Sequence, residues 1–220
     1  MDLGPGPRTR LRRLPEKAAY DAETVFAILD EARYCYVASV IDDEAALTPT
    51  LHWRDGSRVF FHGSPGNAVL RAMVARGRGA LSVTLYDGLR LARSGFESSI
   101  AFRSVVAYGT VRELDHDEAK GALDRLVDAI LPGRGEEVRA TSEREVRLTS
   151  VVALDITEAS AKVSAGPTSD EPEDAALNIW SGVVPARITF ADPVPARDGA
   201  MARGDVVVPP SVLRLLAREQ

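Results

Sequence analysis

The sequence predicts a mainly β fold: a mostly antiparallel sheet closed into a barrel, with helices at its periphery. Three observations point there. Six or so runs of β-branched and aromatic residues are separated by turn signals, the amphipathic helical stretches are few, and strict strand–helix–strand alternation is largely missing. No internal repeat and no clear domain boundary interrupts the pattern. The expected division is an N-terminal arm over 1–20, a barrel over 21–190 and a tail over 191–220 that packs on the barrel or on a second subunit.

The arm, Met1 to Lys17, is rich in Pro, Gly and Arg without periodicity, and reads as an extended surface segment. Asp21 is a natural N-cap, and Val25, Ile28, Leu29 and Ala32 follow at helical spacing. Tyr34 to Ile41 reads as a first strand, ended by Asp42-Asp43-Glu44. From Leu47 to Trp53 a second strand is expected, then Arg54-Asp55-Gly56-Ser57 as a hairpin turn and Val59 to His62 as its partner. Ser64 stands where a helix N-cap belongs, with Pro65 at the first helical position and a helix to about Ala75.

Gly77 to Gly79 breaks the chain before a strand over Ala80 to Tyr86. Asp87-Gly88 is expected to turn it into a short strand, Leu89 to Ala92. Ile100 to Val111 is the longest strand candidate and should be central. Asp115 with Glu118 forms a capping box ahead of the stripe Ala119, Ala122, Leu123, Leu126, Val127 and Ile130, which Pro132-Gly133 stops. A strong strand follows over Leu148 to Ile156, with an extension toward Val163. Beyond an acidic loop lie an apolar island, Leu177 to Pro185, an edge segment, Ile188 to Pro195, and a short amphipathic stretch with Val212, Leu213, Leu215 and Leu216.

A net charge of -5 repels polyanions, so nucleic acid is not an expected partner despite Arg8, Arg10, Arg12 and Arg13. The single cysteine, Cys35, lies in an apolar run and reads as a buried thiol in a reducing compartment. No apolar run approaches about 18 residues, so no membrane-spanning helix is expected. The N-terminus has Gly and Pro where a signal peptide needs its apolar segment, and a cytoplasmic protein is the expectation.

His52, His62 and His116 have no metal spacing, so no metal site is expected. There is no nucleophile elbow, Walker loop or Gly-x-Gly-x-x-Gly. What remains is positional. A capped helix after His62 offers free N–H groups and the positive end of a helix dipole: an anion site, or a cap that binds only water. Thr48, Thr50 and His52 share one strand face, either lining a cleft near Ser64 or facing solvent. Arg103 and Ser104 fall on opposite faces of the long strand, so Arg103 is either salt-bridged or a ligand contact. Trp180 beside Gly182 is a packing anchor or the wall of a flat-ligand pocket.

Taken together, Arg12-Arg13-Leu14-Pro15 with Tyr20-Asp21, Thr48-Pro49-Thr50, Phe60-Phe61-His62-Gly63-Ser64, Tyr86-Asp87-Gly88-Leu89, Arg103-Ser104-Val105, Ser160-Ala161-Lys162-Val163 and Trp180 to Pro185 are collinear over about 8 to 188. In order and spacing they resemble the pyridoxamine 5'-phosphate oxidase-like FMN-binding split β-barrel proteins, in a branch near the nitroimidazole-resistance flavoproteins. The resemblance implies a Greek-key-like split barrel and a homodimer with two FMN sites at its interface. It further implies an FMN-dependent oxidoreductase acting on a small molecule, with deazaflavin F420 or haem as alternative cofactors and a non-catalytic binding protein as the alternative function.

The cofactor-binding positions it implies are Thr48, Pro49, Thr50, His62, Gly63, Ser64, Asn67, Arg103, Ser104 and Trp180, and His62 is the candidate for a catalytic hydrogen bond. Relatives place a Ser and a basic residue where this chain has Gly66 and Asn67, which leaves Arg71 or a partner-chain residue as the substitute cation. The pair before Arg103 is Ala101-Phe102 rather than Asn-Tyr. Leu51 stands where a pyridoxamine phosphate oxidase carries a lysine, so that activity is not implied.

Overall fold

The computed structural model describes residues 3–197, 199–202, 204 and 206–217; the rest of the expected arm and tail lies outside the described residues. In chain order the elements are β1 (Ala18–Ala19), α1 (Ala22–Glu31), β2 (Cys35–Ile41), β3 (Glu44–Thr50), β4 (His52–Asp55), β5 (Arg58–Gly63), α2 (Ala68–Arg76), β6 (Arg78–Leu91) and β7 (Ser99–Glu113). They continue as α3 (His116–Ile130), α4 (Glu143–Arg147), β8 (Ser150–Ser164), β9 (Gly182–Pro185), α5 (Gly199–Ala202) and α6 (Pro210–Ala217). All strands belong to one antiparallel sheet in the order β3-β2-β6-β7-β8-β5-β4, with β1 added to β8 and β9 to β6. The long strand β7 is central, as its length predicts.

The expected strand from Leu47 to Trp53 is in fact two. β3 pairs with β2 through Thr50 opposite Cys35, whereas β4 pairs with β5 from His52 opposite Phe61. Leu51 alone joins strands at opposite ends of the sheet order. In a flat sheet those ends would lie about 29 Å apart, while two residues of chain reach about 7 Å. The sheet must therefore roll up until its edges meet at Leu51, which makes it a barrel.

Rolling gives the sheet two faces, and register assigns residues to them, because directly opposed residues share a face. The row Thr48–Val37–Leu81–Ala107–Ala159 runs inside, where Val37, Leu81, Ala107 and Ala159 are buried in the main core with Val59, Phe61, Val105 and Leu154. α1 adds Val25, Ile28 and Leu29 and α2 adds Val69, Leu70 and Met73 to this core. Each such side chain removed from water contributes about 1.5–3 kcal/mol. Cys35 is buried here, and burial pushes its thiol up to about 12, so it stays protonated. A second core lies across β4, β5 and β8: Trp53, Phe60, Val151 and Ala153 against Ala119, Ala122, Leu123 and Leu126 of α3 and Val146 of α4. The α3 capping box forms as expected, with Asp115 accepting from the Glu118 N–H and Glu118 from the Asp115 N–H.

Other expectations are corrected. Asp87-Gly88 does not reverse the chain: β6 runs straight through it on a bulge between Tyr86 and Gly88. Gly88 has φ +140°, and a Cβ there would lie 2.2 Å from the Val184 carbonyl oxygen of β9. The segment Ile188 to Pro195 forms no strand, and the apolar island over Leu177 to Pro185 is largely exposed rather than packed. The tail helix α6 packs through Ser211, whose N–H donates to Glu137 Oε1 at 2.9 Å and whose hydroxyl donates to Oε2.

The arm is pinned rather than loose. Leu3 is buried in the main core and bonded to Tyr20 and Ala159. Glu158, 8% exposed, accepts from the Arg8 and Thr9 N–H groups, the Thr9 hydroxyl and the Arg8 guanidinium at 2.9–3.0 Å. Those bonds hold its carboxyl below its ordinary pKa despite burial. A Glu158→Ala protein should retain its circular dichroism spectrum but lose the arm, with trypsin cleaving after Arg10 about tenfold faster because local opening governs the rate; an unchanged cleavage rate would contradict the pinning.

Candidate functional site

The outer face of the sheet carries what the inner face excludes. By register, Thr84, Ser104 and Lys162 form one polar row across β6, β7 and β8. The next row toward the β3 edge is Pro49, Tyr36, Ser82 and Val106. On the other side lie Tyr86 with Phe102, then Val184, Leu89 and Ile100. Tyr36, Tyr86, Leu89, Ile100, Val106 and Val184 are between 36% and 51% exposed. An uncovered apolar strip of this kind around a few polar groups marks a surface that meets something else.

Ser104 and Arg103 divide as the alternation requires. Ser104 faces outward in the polar row, while Arg103 shares the inner face with Leu85. Its guanidinium donates to both Asp87 oxygens at 2.8 and 2.9 Å and to both Glu31 oxygens at 2.5 and 2.7 Å. These bonds, Glu31 first, raise its pKa and tie the end of α1 to the β6 bulge. Arg103 thus takes the salt-bridged option. Thr48 and Thr50 lie on the inner side, partly buried, but β3 ends the sheet order and its backbone is free along one edge.

The turn after β5 is built differently from its prediction. Asn67, not Ser64, caps α2: its side chain accepts from the Leu70 N–H at 3.1 Å. Ser64-Pro65-Gly66-Asn67 is a turn closed by the Asn67 N–H on the Ser64 carbonyl, a place that suits Pro in second position. Asparagine is the better cap because its side chain reaches the first-turn N–H while its own backbone stays extended. A Cβ at Gly63 would come 3.1 Å from Leu70 Cδ1, so glycine lets the helix sit close. At Gly66 a Cβ would meet only Ser64 Oγ, at 3.9 Å, so that side of the turn is open. The first-turn N–H groups of α2 that the helix leaves unpaired are presented there.

The histidines separate. His52 faces inward, opposite Phe61; its Nε2–H donates to the Leu29 carbonyl at 2.9 Å, which leaves Nδ1 buried and, among the described residues, unpartnered. It lines a cavity of about 390 Å³ between α1, β4 and the end of α3. His62 shares the other face with Phe60, its ring 6.0 Å from that of Trp53. Its ring is half-buried and makes no hydrogen bond among the described residues, where its Nδ1 and the Trp53 Nε1–H are both buried without partners. Burial lowers the pKa of both His52 and His62 and holds them neutral. His116 is on the surface, 2.7 Å from Glu143.

Trp180 is 64% exposed, beside β9. Gly63, Ser64 and Asn67 come together at one turn, while Ser104 and Trp180 belong to the outer surface. Thr84 and Lys162 join Ser104 there; Thr84 carries no local motif, and Lys162, although inside the Ser160-Ala161-Lys162-Val163 segment, is placed beside Ser104 only by the register.

A family model described as pyridoxamine 5'-phosphate oxidase matches residues 21–163. Among solved structures, the chain is 36% identical to the flavocytochrome Anf3 from Azotobacter vinelandii, covering 96% of this chain and 97% of that one with a TM-score of 0.88. It is 37% identical to an FAD and haem binding protein from Mycobacterium smegmatis, over 90% and 97% of the two chains, with a TM-score of 0.85. A protein from Bacteroides thetaiotaomicron, provisionally described as a 5-nitroimidazole antibiotic resistance protein, shares the fold at 18% identity, TM-score 0.56, over 66% and 86%. A search of curated proteins finds no match.

Because their folded pKa lies below the unfolded value of about 6.5, both neutral histidines bind fewer protons folded than unfolded, and stability is lost as pH falls from about 6.5. A His52→Gln protein should show a shallower fall in melting temperature between about pH 7 and 5; a slope equal to the wild type would contradict His52 as a source.

Proposed function

The chain belongs to the pyridoxamine 5'-phosphate oxidase-like split-barrel family, and from that membership we propose that it is a flavin-binding oxidoreductase working as a homodimer. One observation carries the proposal: the polar row Thr84–Ser104–Lys162 is set inside an uncovered apolar strip on the outer sheet face. A second copy placed on that strip buries the apolar side chains and encloses the polar ones, which is the composition of a cofactor pocket.

The residues present fit a flavin. The open turn at Ser64 to Asn67, with the first-turn N–H groups of α2, suits a phosphate. The free edge of β3 offers backbone groups of Thr48 and Thr50 to a polar ring edge, Ser104 offers a hydroxyl, and Trp180 offers a flat apolar wall. Gly66 and Asn67 bring no charge, so Arg71, exposed on α2, or a residue of the second copy supplies the cation. When bound, a flavin supplies the electron or hydride chemistry, and the chain supplies orientation and exclusion of water. FMN is the minimal ligand; FAD, named for the mycobacterial relative, contains the same ring and phosphate. Leu51, in place of a basic residue, argues against pyridoxamine phosphate as substrate. The reading is of a cytoplasmic protein; among the described residues no helix is long and apolar enough to cross a membrane.

A second reading adds haem. His62 is a neutral imidazole whose Nδ1 has no hydrogen bond among the described residues, and an imidazole nitrogen in that state is a metal ligand in waiting. Two relatives are a flavocytochrome and an FAD and haem binding protein.

The test is the visible spectrum of the protein after incubation with FMN, FAD or haem and desalting. Retained, protein-shifted flavin bands are expected, diminished in Ser104→Ala and Trp180→Ala, while His62→Ala loses a haem Soret band and keeps flavin. A protein that retains neither FMN nor FAD would overturn the flavin reading, and an unchanged Soret band in His62→Ala would overturn the assignment of His62.

A further inference from the structure

We propose that Trp180 is a stacking platform held ready before any ligand arrives, and that Arg93, Asp170 and Ser181 are the residues that position it. The inference rests on the flavin reading of the site for its ligand, a flat aromatic ring, but its structural half stands on the protomer alone.

The loop between β8 and β9 leaves the sheet at Ser164 and returns at Gly182, opposite Leu91. Without ties, a loop of this length would carry Trp180 through many positions. Two arginines near the end of β6 fasten it. Arg90 Nη1 donates to Ser164 Oγ at 3.2 Å, and its Nη2 donates to the Pro167 carbonyl, holding the start of the loop. Arg93 holds the end: its backbone N–H donates to Asp170 Oδ1 at 2.6 Å, and its Nη1 donates to Asp170 Oδ2 at 2.5 Å and to Ser181 Oγ at 3.1 Å. The Ser181 hydroxyl in turn donates to Asp170 Oδ2 at 3.2 Å, closing a three-membered network. The Asp170 side chain is only 9% exposed, so solvent does little to loosen these bonds.

This network fixes the residue immediately after Trp180. Gly182 fixes the ring itself: a Cβ there would fall 2.9 Å from Trp180 Cζ2 and 3.1 Å from Cη2, so the indole lies against the bare glycine backbone. The indole is 64% exposed, yet it lies against Gly182 and precedes Ser181, which Arg93 and Asp170 hold by hydrogen bonds. On this proposal part of the ordering of the indole is complete on folding, so a ring stacking on it has less rotamer freedom to remove.

The test uses the full chain labelled with 5-fluorotryptophan, whose two fluorine resonances, Trp53 and Trp180, are assigned with Trp180→Phe. In Asp170→Ala and Ser181→Ala the Trp180 resonance should shift and narrow toward that of a mobile indole while the Trp53 resonance stays. Ser181→Thr, which keeps the hydroxyl, should restore it. FMN binding should weaken about tenfold in the two alanine variants, the scale of one lost aromatic stacking contact. An unmoved Trp180 resonance in Ser181→Ala overturns the clamp, whatever Asp170→Ala does to folding. A mobile Trp180 with unchanged FMN affinity overturns the platform. A wild-type protein that binds no flavin defeats the flavin reading and the platform's ligand, while the resonance still reports on the clamp.

Discussion

The structure depends on one covalent constraint: Leu51 is the only residue between strands at opposite ends of the sheet order. No flat or gently twisted sheet satisfies it. Once the sheet rolls up, the alternation of side chains becomes a division between a filled interior and an exterior that faces water or a partner. Thr48 and Thr50 fall inside, Pro49 and Tyr36 outside, and the same parity carries through β6, β7 and β8. The interior holds the main core, and the exterior splits. α3 and α4 cover the part over β4, β5 and β8, and the strip over β2, β6 and β7 is left uncovered.

The polar residues that hold this arrangement are spent in few places. Arg103 joins α1 to the bulge at Asp87, Glu158 pins the arm, and Arg93 secures the last loop. Each is a charged pair with several hydrogen bonds, partly shielded from solvent, the setting in which such pairs define geometry more than they stabilise. Among the buried polar atoms that find no partner in the described residues, His62 Nδ1 and the Trp53 indole N–H sit together at the end of β5 next to the Ser64 turn, while Ser39 Oγ, His52 Nδ1 and the Nε atoms of Arg90 and Arg93 lie elsewhere.

Much of the fold was legible in the sequence because it is local. The capping box at Asp115 and Glu118, the Asp21 cap, the buried Cys35 thiol and the length of β7 all write their structure in adjacent residues. The failures share one cause, which is that pairing is not local. Leu47 to Trp53 is a continuous β-rich run, and nothing in it shows that Leu51 is where hydrogen bonding changes partner. Asp-Gly signals a turn, yet at Asp87-Gly88 the carboxylate is taken by Arg103 and the glycine is pressed against β9, so a bulge forms instead. Ser64 and Asn67 are both good caps, and only the closed turn between them decides. Of the site, Gly63, Ser64, Ser104 and Trp180 were named from collinear motifs, whereas Thr84 lay in none, Lys162 and Ser181 lay in motifs that assigned them no role, and their places beside Ser104 and in the Arg93–Asp170 network required the register and the path of a loop.

The proposed function requires the outer strip to be both a subunit interface and the wall of a flavin pocket, and one measurement addresses the two together. Native mass spectrometry of the full chain after equilibration with FMN or FAD should show two chains carrying two flavins, with no flavin on the residual single chain. A single chain as the only species, or a dimer that carries no flavin, would contradict it.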